Sequence, residues 1–598
     1  MSSPDAFLGV TASFGGKRWQ ERLDVGAQAQ ALAMAQRYDL PDVVARVLAG
    51  RNVTLEQAET FLDPSLRDLM PDPSTLMDMD KATDRVVRAV QAGEQIAIFG
   101  DYDVDGATSA ALLARFLTFV GLRPFIHIPD RLTEGYGPNI PAIEELKQRG
   151  ATLLITVDCG STSFEAFEAA AGLGLDVVTI DHHQVGVELP QVEALVNPNR
   201  QDDLSGQGNL AAVGVTFLFL VALNRALRGS GFYNGKPPNL LAWLDLVALG
   251  TVCDVVPLKG LNRAYVTKGL MVIRKRENQG LAALCDVARL NGPAAPYHLG
   301  FLIGPRINAG GRIGDAALGA RLLLSSDRGE AQGIATELDR LNQERQAIEA
   351  IMLEEAELQV GRALVTSPDT AVIFAGADNW HPGIVGLIAS RLKEAHRRPA
   401  FAIAWGENGQ GTASGRSIPG VDLGAAVRAA VEEGILIKGG GHAMAAGLTV
   451  EREKLSDLEA FMDQRLAEDV QQKRQVDSLT VDGALTASGA SLSLLETLEK
   501  AGPYGAGHSE PVFAFPSHKL RYADTVGSGH IRATIAGTDG TSLKAIAFRA
   551  ADKPLGQALL AGRGNFMHFA GTLSIDYWQG NPKVQLRVID AADPRKYR

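Results

Sequence analysis

Short apolar runs recur in the first half of the chain, and each run is followed by polar residues. They cover 96–100, 153–157 and 177–180. Each run has the length of a fully buried strand, and stretches with helical patterning, such as 108–119, separate one run from the next. Alternation of buried strands with helices is typical of a parallel sheet built from strand–helix–strand units. We therefore predict an α/β domain over residues 76–324.

The rest of the chain follows different patterns and divides into further segments. Residues 325–365 combine strong helix formers with few breakers, which predicts one long, exposed connecting helix. Residues 366–466 return to strand and helix patterns and predict a second α/β domain. From 467 to 598, β-branched and aromatic runs alternate with glycine-rich turns, as in a small antiparallel barrel. Helical patterns and proline-rich breaks in residues 1–75 predict an N-terminal helical extension.

Composition indicates an ordinary globular protein. The chain has 598 residues, 46% hydrophobic and 21% charged, and is too long for one hydrophobic core. Its net charge of −11 means that its overall field does not attract nucleic acid, so a polyanionic partner would need a local basic groove or bound cations. The three cysteines lack disulfide or metal-motif spacing. Without a convincing secretory signal or an apolar run of membrane-spanning length, we expect a cytoplasmic protein without membrane contact.

Acids and histidines directly follow the predicted strands, and one further acid lies in another apolar run. Parallel strands bring their carboxyl ends to one edge of the sheet, where ligands bind. So much negative charge at one edge requires cations. Mixed carboxylate and imidazole ligands suit Mn²⁺ or Mg²⁺, and two such ions could drive phosphoryl displacement by water. These residues are Asp101, Asp103, Asp105, Asp158, Asp181, His182, His183 and Asp254.

Three further segments carry groups that bind anions. Residues 439–447 form a glycine-rich stretch whose backbone N–H groups can cradle a phosphate. Residues 413–417 offer a guanidinium and two hydroxyls. Residues 304–314 place two arginines in a predicted loop, from which they could reach successive phosphates beside a metal cleft. The candidate substrate-binding residues are Arg306, Arg312, Ser414, Arg416, Gly440, Gly441 and His442.

In their order and placement, these motifs resemble the DHH phosphoesterase superfamily, which is named for an Asp-His-His motif. The match covers 101–106, 157–160, 181–183 and Asp254. The resemblance implies that five of these side chains are metal ligands. They are Asp103, Asp105, Asp158, His182 and Asp254.

The resemblance assigns different roles to three neighbouring residues. Asp101 stands where many members of the superfamily have a histidine, so we rank it below the other ligands. Asp181 is expected to hold the loop and its imidazoles in place. His183 is expected near the scissile phosphate, where it assists charge neutralisation or departure of the leaving group.

The later segments resemble the DHH-associated domain and an oligonucleotide-binding barrel. The arginine segment, the long helix and the barrel are shared with one branch of the superfamily, bacterial exonucleases that degrade single-stranded DNA from 5′ to 3′. The resemblance therefore implies release of 5′-mononucleotides with two Mn²⁺ or Mg²⁺ ions, in DNA repair and recombination. It implies single-stranded DNA as partner, with a single-strand-binding protein and a helicase as further partners, and a monomeric enzyme.

Some questions stay open at the level of sequence. One alternative is another DHH phosphodiesterase that acts on short oligoribonucleotides or cyclic dinucleotides. A second is a non-catalytic single-strand-binding scaffold, which the presence of all five expected ligands disfavours. The sequence also does not select among the aromatic residues of the barrel region as platforms for stacked bases. These are Phe548, Phe566, Phe569, Tyr577 and Trp578.

Overall fold

The computed structural model divides the chain into two compact units. It describes residues 6–131, 133–290, 292–474, 477–576 and 582–597. The larger unit contains residues 71–254 and 268–475. The smaller unit contains residues 1–70, 255–267 and 476–598.

The N-terminal residues form one strand and four helices within the smaller unit. They are β1 (Arg18–Glu21), α1 (Val25–Tyr38), α2 (Asp42–Ala49), α3 (Ala58–Leu62) and α4 (Leu66–Leu69). The helices share a hydrophobic core with the C-terminal barrel. Trp19 on β1 is fully buried, and its indole N–H donates to Asp590 at 2.9 Å. Residues 6–70 therefore pack as part of the barrel unit.

A five-stranded parallel sheet lies at the centre of the larger unit and confirms the predicted α/β class. Its strands are β2 (Ile96–Gly100), β3 (Phe125–His127), β4 (Leu153–Val157), β5 (Asp176–Ile180) and β6 (Ala194–Val196). They lie in the order β3-β2-β4-β5-β6. Every residue of β2 and β4 is buried, as expected for a parallel sheet covered on both faces. Because β2, β4 and β5 are neighbours, their carboxyl ends lie side by side.

Helices surround this sheet and continue beyond it. They are α5 (Met79–Ala92), α6 (Val104–Phe119), α7 (Ile140–Gln148), α8 (Phe164–Gly172), α9 (Ala212–Gly229), α10 (Leu244–Cys253), α12 (Gln279–Val287), α13 (Pro296–His298), α14 (Gly304–Ile313) and α15 (Leu318–Leu324). The intervening helix α11 (Gly260–Ile273) begins in the smaller unit and ends in the larger one. The helix α9 is long and apolar enough to span a membrane, but 72% of its apolar window is buried. It packs against α5, α6 and α10 and is a core helix.

The prediction of a loop over residues 304–314 is wrong, because this segment forms α14. Its proline lies in the first turn of the helix, where a missing N–H costs nothing. Its glycines allow close packing. A Cβ on Gly311 would lie 2.6 Å from the carbonyl oxygen of Tyr102, and one on Gly310 would lie 2.8 Å from that of Asp315. The glycines and proline that suggested a turn thus serve helix packing.

A 39-residue helix, α16 (Arg328–Thr366), joins the parallel-sheet domain to a second α/β domain and is about 59 Å long. The elements that follow are β7 (Ile373–Ala377), α17 (Val385–His396), β8 (Ala400–Trp405), β9 (Gln410–Arg416), α18 (Leu423–Glu432), β10 (Lys438–His442), β11 (Ala445–Glu451) and α19 (Leu455–Arg474). The strand order is β10-β11-β9-β8-β7, and only β7 and β8 are parallel. The glycine-rich stretch 439–447 is a hairpin of β10 and β11 rather than an open loop.

The C-terminal part forms the predicted barrel. Its elements are β12 (Ser478–Val481), β13 (Gly483–Ala484), α20 (Leu492–Ala501), β14 (Phe513–Val526), β15 (His530–Ala536), β16 (Ser542–Ala547), α21 (Pro554–Ala561), β17 (Phe566–Asp576) and β18 (Lys583–Ala592). Five strands close in the order β14-β15-β16-β18-β17, and β17 pairs again with β14. The register of β14 with β17 shifts between Phe515 and His518, an irregularity that lets one strand serve both edges of the closure.

A candidate metal-dependent active site

The carboxyl ends of β2, β4 and β5 carry one connected set of possible metal ligands. Three groups of side chains each offer ligand atoms within 4.8 Å of one another. The groups overlap at Asp158 and His182, so they form one continuous cluster. They comprise Asp101, Asp103 and Asp158; Asp105, His182 and Asp254; and Asp158, His182 and His183. Asp254 follows α10, a helix rather than a strand.

The turn from β2 into α6 holds the first two ligand candidates by backbone hydrogen bonds. Asp103 caps α6 and accepts hydrogen bonds from the N–H groups of Asp105 (2.8 Å) and Gly106 (3.1 Å). The buried carboxylate of Asp105 accepts from the N–H groups of Ala212 (2.6 Å) and Val213 (2.9 Å) at the start of α9. A helix N-terminus favours negative charge. Both carboxylates are therefore held in place independently of any cation.

Backbone strain occurs at the centre of the cluster. Asp158 has φ of 63°, in the left-handed region that few non-glycine residues occupy. Its N–H donates to the carbonyl of Ile180 at 3.0 Å, which ties the loop after β4 to β5. Strain of this kind persists only where the surrounding structure enforces it, and it is concentrated at functional sites.

His182 presents a lone pair to the acids. Its Nδ1 lies 3.0 Å from the carbonyl oxygen of Leu210, which can only accept, so Nδ1 carries the proton. Nε2 lies 3.3 Å from Asp158 Oδ1 and 3.7 Å from Asp254 Oδ2. Burial lowers the pKa of His182, which favours this neutral form. A nitrogen lone pair beside two carboxylates is the arrangement that a cation requires.

The carboxylates also fit cations by their electrostatics. Burial, together with the neighbouring carboxylate of Asp103, raises the pKa of Asp105 to about 7. Burial and the neighbouring carboxylates raise the pKa of Asp254 to about 9. Among the described residues, Asp254 Oδ2 and Asp101 Oδ1 are buried without a hydrogen-bond partner. Such oxygens are costly to bury alone and are satisfied by cations of the Mn²⁺ or Mg²⁺ type.

Asp181 lies beside the cluster and fixes its histidines. Its carboxylate accepts from the N–H groups of Ser161, His182 and His183, and from His183 Nδ1 at 2.8 Å. Burial opposes its ionisation, but the bond from His183 outweighs burial and keeps the pKa of Asp181 below its usual range. Burial likewise opposes protonation of His183, whereas Asp181 raises the pKa of His183 to about 8.

Guanidinium groups gather beside the carboxylates. Arg312 on α14 donates to the carbonyl of Gly383 at 2.8 Å. Burial and the nearby charges of Arg131, Arg345 and Arg416 lower the pKa of Arg312 to about 10, while Asp103 opposes the shift. Several cations in one buried place favour an anionic ligand such as a phosphate.

Arg131 belongs to this group, although the sequence reasoning did not select it. Its guanidinium lies over the ring of Tyr102 at 5.1 Å, in the turn that leads to the acids. The available signal was its position just beyond the end of β3, next to Asp130.

The second α/β domain contributes Ser414 and Arg416 from β9. Arg416 Nη1 donates to Ser414 Oγ and to the carbonyl of Gly415, both at 2.9 Å. Both side chains lie next to Gly386 at the start of α17, where a Cβ would come within 3.2 Å of them. Because Arg416 also lowers the pKa of Arg312, this pair lies near the arginines of α14 and the loop after β3.

The remaining predicted substrate-binding residues make other contacts. Arg306 donates to Asp339 on α16 at 2.8 Å and to the carbonyl of Leu302, so its charge is already paired. Gly440, Gly441 and His442 lie on β10, separated from β9 by β11. All three residues pair with β11, and the carbonyl of Gly441 accepts a hydrogen bond from Arg428 on α18 at 3.0 Å.

The aromatic residues of the barrel region that were considered as platforms for stacked bases differ in their exposure. Phe569 is fully buried in the barrel core, whereas Phe548 and Phe566 are 54% and 51% exposed. Tyr577 and Trp578 lie outside the described residues.

Comparisons with known proteins cover all three parts of the chain. The DHH family N-terminal domain matches residues 95–251, the DHHA1 domain matches 369–468, and the RecJ OB domain matches 481–590. The single-stranded-DNA-specific exonuclease RecJ of Salmonella typhimurium is 35% identical, over 92% of this chain and 96% of the relative. The Escherichia coli protein of the same name is 36% identical over the same shares.

Solved structures agree with these matches. The crystal structure of RecJ from Thermus thermophilus in complex with Mn²⁺ superposes with a TM-score of 0.77 at 29% identity, and covers 94% of this chain and 78% of that one. The structure of the same protein in complex with Mg²⁺ gives a TM-score of 0.71 at 29% identity, over 95% of this chain and 77% of that one.

Proposed function

The chain belongs to the RecJ family of single-stranded-DNA-specific exonucleases, and we propose that it degrades single-stranded DNA from the 5′ end and releases 5′-mononucleotides. The acid and histidine cluster is the observation that carries this proposal. It combines strained backbone at Asp158, a lone pair on His182 and unpartnered buried oxygens on Asp101 and Asp254. The identity with RecJ relatives over nearly the whole chain supports the choice of substrate.

We propose that the cluster holds two divalent cations, Mn²⁺ or Mg²⁺. When bound, such a pair activates water and offsets the charge that develops on the phosphate during displacement. The residues that would hold the ions are Asp103, Asp105, Asp158, His182 and Asp254, with Asp101 as a further candidate. The RecJ structures from T. thermophilus with Mn²⁺ and Mg²⁺ support this assignment.

The arginines and His183 would act on the phosphodiester itself. Arg312, Arg416 and Arg131 would hold its oxygens by charge-assisted hydrogen bonds, and Ser414 would add a hydroxyl donor. Without bound cations, Asp181 raises the pKa of His183 to about 8, which favours a protonated ring. Because its Nδ1 proton is held by Asp181, its Nε2–H, which lies 3.3 Å from the hydroxyl of Tyr136, is the group that would reach the leaving oxygen. Asp181 would act only by orienting His183.

The barrel provides a face suited to a single strand. Successive residues of a strand alternate between the two faces of a sheet. Thr534 on β15 pairs with Tyr522 on β14 and with Lys544 on β16. Ile546 on β16 pairs with Arg532 on β15 and with Arg587 on β18. All six side chains lie on the outer face of the barrel. Arg532 and Arg563 lie over the ring of Tyr522 at 6.0 and 5.9 Å. Aromatic and basic side chains on one face hold single strands by stacking and charge, despite the negative charge of the whole chain.

Cleavage assays with defined substrates test the function. EDTA-treated protein is supplied with Mn²⁺ and given 5′-phosphorylated single-stranded DNA, duplex DNA, RNA and a dinucleotide. We expect rapid 5′ to 3′ release of mononucleotides from the single-stranded DNA, slower cleavage of the dinucleotide, no cleavage of duplex DNA or RNA, and none of any substrate in EDTA. Preference for the dinucleotide or RNA would favour the oligoribonucleotide or cyclic-dinucleotide phosphodiesterase. Metal-independent binding without cleavage would favour the scaffold.

The variant Asp158→Ala tests the metal assignment. We expect it to abolish cleavage while retaining binding of single-stranded DNA, because the arginines and the barrel face remain. Asp84→Ala, an exposed acid on α5, is the matched control and should cleave normally. Wild-type turnover by Asp158→Ala in Mn²⁺ would show that the cluster does not hold the catalytic ions.

The cellular setting follows from the same proposal. We propose that the enzyme is a cytoplasmic monomer that acts in DNA repair and recombination, where a helicase supplies single strands and a single-strand-binding protein coats them. Light scattering after gel filtration measures the mass in solution, and a dimeric mass would contradict the monomer. Cleavage of coated DNA, with and without a helicase, tests the partners.

A further inference from the structure

An exposed pair of aromatic rings lies on the helical segment that leads into α14. Tyr297 and Phe301 stack with ring centroids 5.0 Å apart and an interplanar angle of 24°. Their side chains are 54% and 69% exposed, although the burial of large aromatic groups is strongly favourable. Because the two rings stack on each other, both present to solvent from the same side.

The opposite side of this segment is anchored beside a metal-ligand candidate. Leu299 and Ile303 are fully buried. The thiol of Cys253 donates to the carbonyl of Leu299 at 3.4 Å, and a Cβ on Gly304 would lie 2.6 Å from its sulfur. Cys253 directly precedes Asp254. The aromatic pair is therefore carried by a rigid segment that packs against the end of α10, where the acidic cluster begins.

The same segment reaches the proposed phosphate-binding arginines at its other end. Arg312 follows Phe301 by eleven residues, through the rest of the π-helical turn Leu299–Ile303 and along α14, a rise of about 16 Å. Arg312 lies near Asp103 and the other arginines of the site. Arg306, about 120° away around the helix, is instead bonded to Asp339 on α16. Within α14, the helical phase thus separates the structural Arg306 from Arg312.

We propose that Tyr297 and Phe301 form a stacking platform for bases of the substrate strand beyond the scissile phosphate. The inference rests on the proposed function, because only a 5′-end exonuclease keeps the rest of the strand on the 3′ side of the site. At the stacked spacing of about 3.4 Å per nucleotide, 16 Å corresponds to roughly three to five nucleotides from the phosphate at Arg312. Stacking on aromatic faces tolerates any base, as an exonuclease requires.

The platform would make affinity depend on strand length. A dinucleotide reaches only the metal and arginine groups, whereas a 12-mer also reaches the aromatic pair. We expect Phe301→Ala to raise KM for 5′-phosphorylated dT12 by roughly 5- to 100-fold, with little change in kcat. The preference for dT12 over the dinucleotide pTpT should fall by a similar factor. Phe301→Trp should restore the preference, because it restores a ring.

A matched variant and a spectroscopic probe complete the experiment. Phe119→Ala removes another exposed phenyl ring, 49% exposed at the end of α6, and should keep the preference for dT12. With Asp158→Ala protein, 2-aminopurine at nucleotides three to five should be quenched on binding, and Phe301→Ala in that background should relieve the quenching.

The outcomes separate the platform from the function on which it rests. Wild-type protein that fails to degrade dT12 would refute the proposed function. Wild-type protein that degrades dT12, beside Phe301→Ala protein with an unchanged preference and unchanged quenching, would refute the platform alone. An equal loss of activity of Phe301→Ala protein on dT12 and on pTpT would also refute the platform, because the aromatic pair would then only hold α14 in position.

Discussion

Binding of Mn²⁺ should stabilise the protein more strongly at pH 8 than at pH 6. Without cations, the folded chain raises the pKa of Asp105 to about 7 and that of Asp254 to about 9, in both cases chiefly by burial. The folded, metal-free protein therefore holds protons that the unfolded chain releases near pH 4. The contribution of these two carboxyls to the free energy of unfolding is fully present below that pH, and it is lost as the pH rises towards their folded pKa values.

The size of this effect follows from proton linkage. Each such carboxyl lowers the free energy of unfolding by about 1.4 kcal/mol per pH unit between its unfolded and folded pKa. Between pH 6 and 8, Asp105 lowers the free energy of unfolding over about one pH unit and Asp254 lowers it over about two. The free energy of unfolding of the metal-free protein therefore falls by on the order of 2–4 kcal/mol. With cations bound, the carboxylates are ionised when folded, and this loss disappears.

Thermal unfolding monitored by fluorescence, in EDTA and in Mn²⁺ at both pH values, measures the effect. We expect the rise in Tm on adding Mn²⁺ to be several degrees larger at pH 8. In Asp254→Asn, which cannot ionise, the metal-free protein should be more stable at pH 8 than the wild type. A rise in Tm on adding Mn²⁺ that is equal or smaller at pH 8 than at pH 6 would refute the idea that bound cations offset the charge of these carboxylates.

Two further predictions concern the arginines and a glycine of the site. Arg416→Ala should raise KM about 10- to 100-fold by removing a charge-assisted phosphate contact, whereas Arg306→Ala, whose charge is paired with Asp339, should change KM less than about threefold in the same assay. Gly106→Ala should lower Tm by several degrees and impair cleavage, since its Cβ would lie 2.3 Å from the carbonyl oxygen of Asp101. Gly172→Ala, where a Cβ meets nothing within 4 Å, should unfold no earlier than the wild type, and equal Tm losses would contradict the packing argument.

Features that depend on local pattern could be predicted from the sequence. The buried strands β2, β4 and β5 appear as short apolar runs because both faces of a parallel sheet are covered. The long helix α16 appears as an unbroken run of helix formers. The acids after the strands predict one cluster because neighbouring parallel strands end at one edge.

Features that depend on distant contacts could not be predicted in this way. The pairing of Arg306 with Asp339 and the approach of Arg131 to Arg312 join segments that are far apart in sequence. The glycines of α14 suggested a loop because a glycine needed for close packing looks the same in sequence as one needed for a turn. The inclusion of residues 6–70 in the barrel unit likewise depends on a core assembled from both ends of the chain.

The sequence by itself therefore determined the sheet, the identity of the acidic and imidazole groups, and their convergence at one edge. These follow from the order of residues along a few strands and from the geometry that all parallel sheets share. Only the tertiary structure decided which arginines face the acids, which oxygens lack partners, and which aromatic rings stay exposed. Burial and charge pairing are properties of atoms brought together across the chain, and no local pattern records them.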